Sequence, residues 1–326
     1  MNDSSFFVQP GAALTIDATR PFHPDDNFAF VTNVSQLDQA TAFTLAPGHE
    51  LRRANAAEIT TIKDILSTQM PDLERLNPWE FRRGEEGKFV SLPETEWKYF
   101  VIAFRGSNTT LADIEEALVL APLELTIGFT AVQWGAARGL MIHHERLFQK
   151  LYAARRSLEQ TLLNVTLQDV EEIVKILAQL KQHDNDLVPI KQITAGLADL
   201  EALPLHSPIL FLGYFALLES LLTHQPTPND TIDSITRQIK KKVALLDERF
   251  QRRLDYSPFA ATSDKVWGCM YDYRSGLAHG KPRGADGKLE VLGNHGNALQ
   301  LVKQTVKAVA RQALIEPQLL ADLRNC

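Results

Sequence analysis

Two residues near the C-terminal end of the sequence, Arg274 and His279, carry side chains that can act together in catalysis. Histidine titrates near neutrality and can serve as a general base or a general acid. Arginine stays charged and can donate hydrogen bonds to two phosphate oxygens at once, which stabilises a developing negative charge. The pair is therefore suited to acid–base chemistry at a phosphate ester.

The surroundings of Arg274 support this interpretation. Met270 and Tyr271 precede it by four and three residues, so the arginine extends an apolar helical face instead of a solvated one. Gly276 and Gly280 would let the helix end and bring both side chains toward a common point, whereas an unbroken helix would hold them roughly 140° apart. The alternative is a structural arginine that satisfies helix carboxyl ends, with a histidine at a helix terminus.

Amphipathic patterns predict that this segment belongs to a helical bundle. Helices are expected over Ile209–Leu222 and Asp230–Leu254, the second because its apolar positions repeat every three or four residues. A third helix should open near Thr262 or Ser263 and carry the arginine, and a fourth should begin at Asn297. Four such helices in about 110 residues imply a bundle.

The first part of the sequence has a different pattern. Short apolar runs at 5–8, 28–31 and 97–104 alternate with turn residues and predict strands, and one helix is expected between Asn55 and Gln69. This region is therefore predicted to be a mixed, sheet-containing domain.

From about Gly135 the pattern becomes helical. An apolar face from Leu147 to Leu158 is followed by a helix start at Thr166–Asp169. The sequence thus predicts an α+β fold with a mixed domain over 1–135, a helical connector over 136–205 and a helical domain over 206–326.

Composition limits the classes of function. The chain has 326 residues, of which 44% are hydrophobic and 23% charged, as in globular proteins. Its net charge of −6 and pI of about 5.9 argue against a generally basic nucleic-acid binder, so any RNA site must be a local patch.

Cysteine usage and the apolar segments indicate a cytoplasmic protein. Cys269 and Cys326 form neither a disulfide framework nor a zinc motif, and no metal or other cofactor is predicted. The first ten residues do not have the pattern expected of a secretory signal. The longest apolar stretch, Pro208–Leu222, is too short to span a bilayer comfortably and contains Glu219, so no membrane association is expected.

The segment from Tyr271 to Gly280 resembles the R-x4-6-H signature of HEPN domains. The similarity extends to the preceding helices of the Apea-like branch, in which an apolar helix with a Leu-Glu pair, here Leu218 and Glu219, precedes a basic amphipathic helix. It covers roughly residues 206–315. The resemblance implies a dimeric four-helix bundle in which Arg274 and His279 of both subunits form a metal-independent endoribonuclease site.

The chemistry of RNA fits that implication. RNA supplies its own nucleophile, the 2′-hydroxyl, which needs only deprotonation and an in-line approach to phosphorus. One histidine per subunit leaves one proton transfer unassigned, and a two-fold axis would supply a second histidine for the leaving oxygen. Many active members of the family carry Asn, Asp or His after the arginine, whereas this chain has Ser275, which we include among the candidate site residues.

Glu219 is a further candidate catalytic-site residue. It lies among apolar residues, and a buried carboxylate is costly unless it is paired. Arg274 is the predicted partner, and such a pair would orient the guanidinium. The alternative is that Glu219 lies at a helix edge in water.

A cationic surface for RNA is predicted on the basic helix. Its candidate RNA-binding residues are Arg237, Lys240, Lys241, Lys242, Arg249, Arg252 and Arg253. The alternative is a solvated helix face with no ligand.

The sequence therefore predicts an endoribonuclease that forms a homodimer and acts on RNA, and the family resemblance suggests the role of a toxin or phage-defence effector. An antitoxin or another regulatory partner is also expected. The alternative is a non-catalytic HEPN-like module for RNA binding or dimerisation. Such a module would have the same helical bundle but no catalytic activity.

Overall fold

The computed structural model describes residues 27–69, 78–84, 88–105, 109–134, 139–143, 162–201, 203–204, 206–224, 234–280 and 287–325. Strands dominate the first part of the chain and helices the second, which confirms the predicted α+β class. The chain forms two compact units. The first comprises residues up to Glu115 together with Leu123–Val174, and the second comprises Glu116–Pro122 together with the residues from Lys175 onward.

The first unit is built on an antiparallel sheet of six strands in the order β3-β4-β7-β1-β8-β9. A parallel pair joins β2 to β10, and an antiparallel pair joins β5 to β6. The strands are β1 Asn27–Val31, β2 Val34–Leu37, β3 Ala42–Ala46, β4 His49–Arg53, β5 Phe81–Arg83, β6 Phe89–Ser91, β7 Phe100–Phe104, β8 Ile127–Trp134, β9 Gly139–His143 and β10 Leu163–Val165.

A helix over Ala56–Gln69, α1, covers one face of this sheet. Ile62 and Ile65 of α1 pack in one buried cluster with Phe30, Val101 and Phe129. These three sheet residues are direct neighbours across strands, since Phe30 pairs with Val101 on one side and with Phe129 on the other. Side chains of paired residues point to the same face, so the pairing places the aromatic core under α1.

Two of the elements predicted in this region are confirmed, one strand is present but shorter than predicted, and one helix was missed. The helix between residues 55 and 69 and the strand at 28–31 are present, but the third predicted strand begins only at Phe100. A second helix, α2 over Thr109–Leu120, was not predicted, although its buried residues Leu111, Ile114 and Leu118 repeat with helical spacing. The predicted strand at 5–8 and the apolar face over 147–158 lie outside the described residues.

The boundary at Val174 differs from the predicted boundaries after residues 135 and 205. The cause is the pairing of β8 with β9, which carries the sheet as far as His143. The short strand β10 then returns to β2 before the helices begin.

The second unit is helical. Its helices are α3 Leu167–Gln182, shared with the first unit, α4 Ile190–Leu200, α5 Pro208–Leu222, α6 Ile235–Asp247, α7 Ser263–Ala278, α8 His295–Ile315 and α9 Pro317–Asn325, with a 3₁₀ helix over Gly287–Leu292. The four predicted helices correspond to α5, α6, α7 and α8, so the predicted bundle is confirmed.

Polar residues set the starts of these helices. The predicted start at Thr166 is a reciprocal cap, in which the Asp169 backbone N–H donates to Thr166 Oγ1 and the Thr166 N–H donates to Asp169 Oδ2. The Asn294 side chain accepts from the backbone of Asn297, so α8 begins at His295, two residues before the predicted start.

Helix α6 ends earlier than predicted. The chain turns after Asp247, whose carboxylate accepts a hydrogen bond from the backbone of Leu254 at 2.8 Å. Phe250 and Leu254 are buried by this turn and not by a continuing helix. Their helical spacing was therefore misleading, because burial alone does not distinguish a helix from a turn that folds back.

Close packing against α4 fixes the position of α5. A Cβ atom placed on Gly213 would lie 2.2 Å from Leu200 Cδ2, and one on Gly196 would lie 2.9 Å from Leu217 Cδ2. The two helices approach through these glycines. Helix α5 is thus held in place on the side of α4.

Candidate functional site

Glu219 is the single charged residue of α5. The helix begins after Ser207, whose hydroxyl accepts from the backbone of Ile209, and Pro208 occupies its first turn. Most of its apolar side chains are buried, and the Glu219 side chain is only 16% exposed. The fold therefore holds this carboxylate close to the core instead of in water.

Arg274 lies on α7 where that helix leaves the core. Five residues of α7 are buried, the last of them Tyr273, and none is buried from Arg274 onward. The Arg274 side chain is 34% exposed. The C-terminal end of α7 is thus accessible to a ligand or to a second copy of the chain.

Glu219 and Arg274 form an ion pair, as predicted. Arg274 Nη2 donates to Glu219 Oε2 at 3.1 Å. The contact is a single bond, although a guanidinium offers five donors. Among the described residues the other carboxylate oxygen, Glu219 Oε1, is buried and has no hydrogen-bond partner. The pair orients the guanidinium while most of its donors remain available.

Tyr271 completes this cluster and was not predicted as a site residue. Its ring lies 6.0 Å from Arg274 Cζ and packs edge-on against Phe215 of α5, with ring centroids 6.2 Å apart. A cation at this distance from an aromatic face is weakly attracted to it. Its position three residues before Arg274 was the available signal, because residues three apart are neighbours on a helix.

His279 marks the end of α7. Its backbone N–H donates to the carbonyls of Ser275 and Gly276, each at 3.2 Å, and Gly280 adopts a positive φ of 71°. This is a glycine-terminated helix end. The side chain of His279 is exposed.

The predicted role of the two glycines is half right. Gly280 ends the helix, but Gly276 lies within it. The helix therefore stays unbroken from Arg274 to Ala278, and the arginine and histidine leave it roughly 140° apart. Within the described chain no hydrogen bond joins them, so the expected convergence of the two side chains does not occur in a single copy.

Around the axis of α7, Ser275 lies between Arg274 and His279. It is half-buried, about 100° around the helix from Arg274 and about 40° from His279. The serine therefore shares a helical face with the histidine more closely than with the arginine.

The predicted cationic surface is smaller than the sequence suggested. Lys242 is 8% exposed, and its ammonium donates to the carbonyl of Leu222 at 2.9 Å and to Gln238 Oε1 at 3.2 Å. It satisfies the carboxyl end of α5 and does not lie on the surface. Its inclusion among the exposed cations was therefore wrong.

Three other cations of this set have acidic partners. Lys240 pairs with Asp264 at 3.0 Å and Arg249 with Glu316 at 2.8 Å. Arg253 pairs with Glu248, and its hydrogen bond lowers the pKa of that carboxyl while raising its own.

The remaining candidates are all exposed. They are Arg237, Lys241 and Arg252. Lys241 and Arg252 have no ion pair within the part of the chain that the structure describes. These two residues are the strongest remaining candidates for contact with a polyanion.

A second polar contact supports the start of α7. Trp267 Nε1 donates to the hydroxyl of Tyr256 at 2.9 Å. Burial raises the pKa of Tyr256 to about 12. Tyr256 is thus a packing residue that remains protonated at neutral pH.

The described residues show neither a metal site nor a membrane-spanning helix. Over the described ranges, no group of three His, Cys, Asp or Glu side chains is placed to hold a metal ion. Those ranges also contain no helix with the length and apolar character to cross a membrane.

Comparison with known proteins gives no relatives for this chain. No protein-family model, no curated protein and no solved structure matches it. A functional assignment therefore depends on the chemistry of the cluster formed by Glu219, Tyr271 and Arg274, and of the exposed His279 at the end of the same helix.

Proposed function

We propose that this chain is a metal-independent endoribonuclease whose site uses Arg274 and His279. The observation that carries this proposal is the ion pair between Glu219 and Arg274 at 3.1 Å, at the point where α7 leaves the core. A carboxylate held in an apolar helix makes contact with the guanidinium but occupies only one of its donors. This arrangement suits an arginine that must present itself to an incoming phosphate.

The proposed reaction needs two proton transfers. A histidine accepts the proton of the RNA 2′-hydroxyl, and the oxygen attacks phosphorus in line with the departing 5′-oxygen. The P–O5′ bond breaks and a second acid protonates the leaving oxygen, which leaves a 2′,3′-cyclic phosphate. Arg274 stabilises the extra negative charge on phosphorus in the transition state.

The second acid comes from a second copy of the chain in this proposal. In a single copy His279 and Arg274 leave the helix in different directions, and His279 is exposed at the helix end. A two-fold axis near the end of α7 would bring the histidine of one copy toward the arginine of the other. Ser275, which lies near His279 on the helix, would then face the same cleft.

The proposed context is that of a cytoplasmic toxin or phage-defence effector. The sheet-containing unit would sense a trigger or bind an inhibitory partner, while the helical unit would cleave RNA. The exposed Lys241 and Arg252 would contribute to RNA binding, together with Arg237. Binding should then weaken steeply as the salt concentration rises.

The test is cleavage of labelled single-stranded RNA by the purified full chain in the presence of EDTA. We expect cleavage by the wild type and a loss of about 100-fold or more for His279→Ala. His206→Ala is the matched control, because His206 is another exposed histidine of the helical unit. Equal losses in both variants would contradict the proposal.

The same assay separates cleavage from the alternative function. Intact RNA at stoichiometric amounts of wild-type protein, with RNA retained by the protein, would indicate a non-catalytic RNA-binding module. RNA that is neither cleaved nor bound would indicate that the helical unit serves only for dimerisation. The separation of Arg274 and His279 is the observation that favours this alternative, because in a single copy the two side chains leave α7 roughly 140° apart.

A further inference from the structure

Tyr271 differs from other tyrosines of the molecule in how its hydroxyl is used. The hydroxyls of Tyr99 and Tyr273 bond to Glu80 and His295, each at 2.8 Å. That of Tyr256 accepts from Trp267 at 2.9 Å. Within the described residues the hydroxyl of Tyr271 has no hydrogen bond, and its side chain is half-buried.

Two contacts fix the position of the Tyr271 ring. One edge contact with Phe215 of α5 supports the ring from the core side, and the guanidinium of Arg274 lies 6.0 Å from its centroid. On the helix, Tyr271 is rotated about 60° from Arg274, in the direction of His279. The ring therefore lies beside the guanidinium of Arg274, on its N-terminal side along α7.

We propose that Tyr271 forms a stacking subsite for a nucleobase next to the phosphate that Arg274 binds. This inference rests on the proposed ribonuclease function and specifies how its substrate is held. A base presents an apolar π-face of the same kind as a phenol ring, and such stacking tolerates any base sequence. Single-stranded RNA is the substrate class that can offer an unpaired base beside its phosphate.

The geometry favours stacking over a structural role for this residue. A core tyrosine needs a partner for its hydroxyl, as Tyr99, Tyr256 and Tyr273 have, whereas a stacking tyrosine can leave its hydroxyl in water. The nearby guanidinium adds affinity for the phosphate of the same nucleotide. Base and phosphate would therefore be bound by two residues one helical turn apart.

The experiment measures RNA binding in a background that does not cleave. Short single-stranded oligonucleotides, either intact or with one abasic position, are titrated against full-length His279→Ala protein and followed by fluorescence anisotropy. The additional substitutions are Tyr271→Phe and Tyr271→Leu. Phe89→Leu is the matched control, because Phe89 is a 49% exposed aromatic residue in the other unit.

Stacking predicts that Tyr271→Phe binds as tightly as the parent and that Tyr271→Leu binds about 5- to 100-fold more weakly. The parent should prefer the intact oligonucleotide over the abasic one at the optimal position, and Tyr271→Leu should lose that preference. Phe89→Leu should change neither quantity. Thermal unfolding of each variant checks that the fold is retained.

Four outcomes would overturn the inference. Weaker binding by Tyr271→Phe would assign the role to the hydroxyl. If the parent binds RNA and Tyr271→Leu binds it equally well, the stacking subsite is rejected while the proposed ribonuclease function is not. A change in oligomeric state for Tyr271→Leu in sedimentation would place the ring in an interface between two copies. No RNA binding by the wild type would overturn both this inference and the proposed function.

Discussion

Each unit of the molecule contains an arginine paired with a glutamate, and the two pairs are built differently. In the first unit Arg52 donates to both oxygens of Glu58, at 2.8 and 2.7 Å, and the backbone of Asn55 donates to the same carboxylate at 2.8 Å. Glu58 is 3% exposed. Both oxygens of this buried carboxylate are therefore satisfied.

The pair in the second unit is incomplete by comparison. Arg274 donates once to Glu219, and the second oxygen of Glu219 is buried without a partner among the described residues. Glu58 also takes part in the capping box of α1, since its carboxylate accepts from the backbone of Asn55 and the Asn55 side chain accepts from the Glu58 backbone N–H at 2.9 Å. The first pair is explained fully by its contribution to the fold, whereas the second keeps unused bonding capacity at an accessible helix end.

The largest expected difference concerns activity. Arg274→Met should reduce RNA cleavage by about 100- to 1000-fold, because in the proposed mechanism this side chain stabilises the transition state. Arg52→Met should leave the cleavage rate per folded molecule unchanged. Both rates are measured with labelled RNA at saturating substrate. A similar loss in both variants would show that the two pairs do not differ in role.

Stability should change in the opposite order. Arg52→Met leaves the buried Glu58 without its cation and should lower the free energy of unfolding by about 3 kcal/mol. Arg274→Met should lower it by less, about 1 to 2 kcal/mol, because it removes a single hydrogen bond from a carboxylate that is less buried than Glu58. Denaturant unfolding followed by tryptophan fluorescence gives both values. Equal destabilisation would mean that the second pair is also structural.

Glu219→Gln tests the positioning of the guanidinium. It keeps the shape of the side chain and one acceptor oxygen but removes the charge, and we expect cleavage to fall about tenfold. The readout specific to positioning is the double variant with Arg274→Lys. If Glu219 acts through the arginine, the two losses will not be additive. Additive losses, or unchanged activity of Glu219→Gln, would contradict this role.

Much of this site could be predicted from the sequence. The pairing of Glu219 with Arg274 followed from one rule, that a carboxylate among apolar residues needs a partner. The start of α7 followed from Thr262 and Ser263, because hydroxyl residues favour helix starts. Both inferences depend on local chemistry that the residues themselves specify.

Other features could not be predicted because they depend on distant contacts. Lys242 belongs by sequence to a basic helix face, yet it turns inward to the carboxyl end of α5. The end of α6 depends on a bond between Asp247 and Leu254. The direction in which His279 points depends on where the helix ends, and Gly276 gave a misleading signal. Periodicity alone does not specify which of several competing partners a side chain contacts.

A third pair, between Arg253 and Glu248, is expected to have the smallest effect on stability. The hydrogen bond from Arg253 holds the pKa of Glu248 below its usual value of 4.5. The pair therefore adds stability above that value and loses its contribution as the pH falls through the lowered pKa of the folded state. Both side chains are exposed, so water and salt screen them.

Glu248→Gln should accordingly shift the denaturation midpoint only slightly at about pH 7, and by less as the pH falls through the lowered pKa of the folded state, where the carboxyl becomes protonated. High salt should remove the difference at neutral pH as well. The measurement is denaturant unfolding at two pH values and two salt concentrations. A shift as large as that of Arg52→Met would show that the exposure of the side chains does not determine how much each of the three pairs stabilises the fold. Burial and the number of hydrogen bonds would then not explain the difference between Glu58 and Glu219.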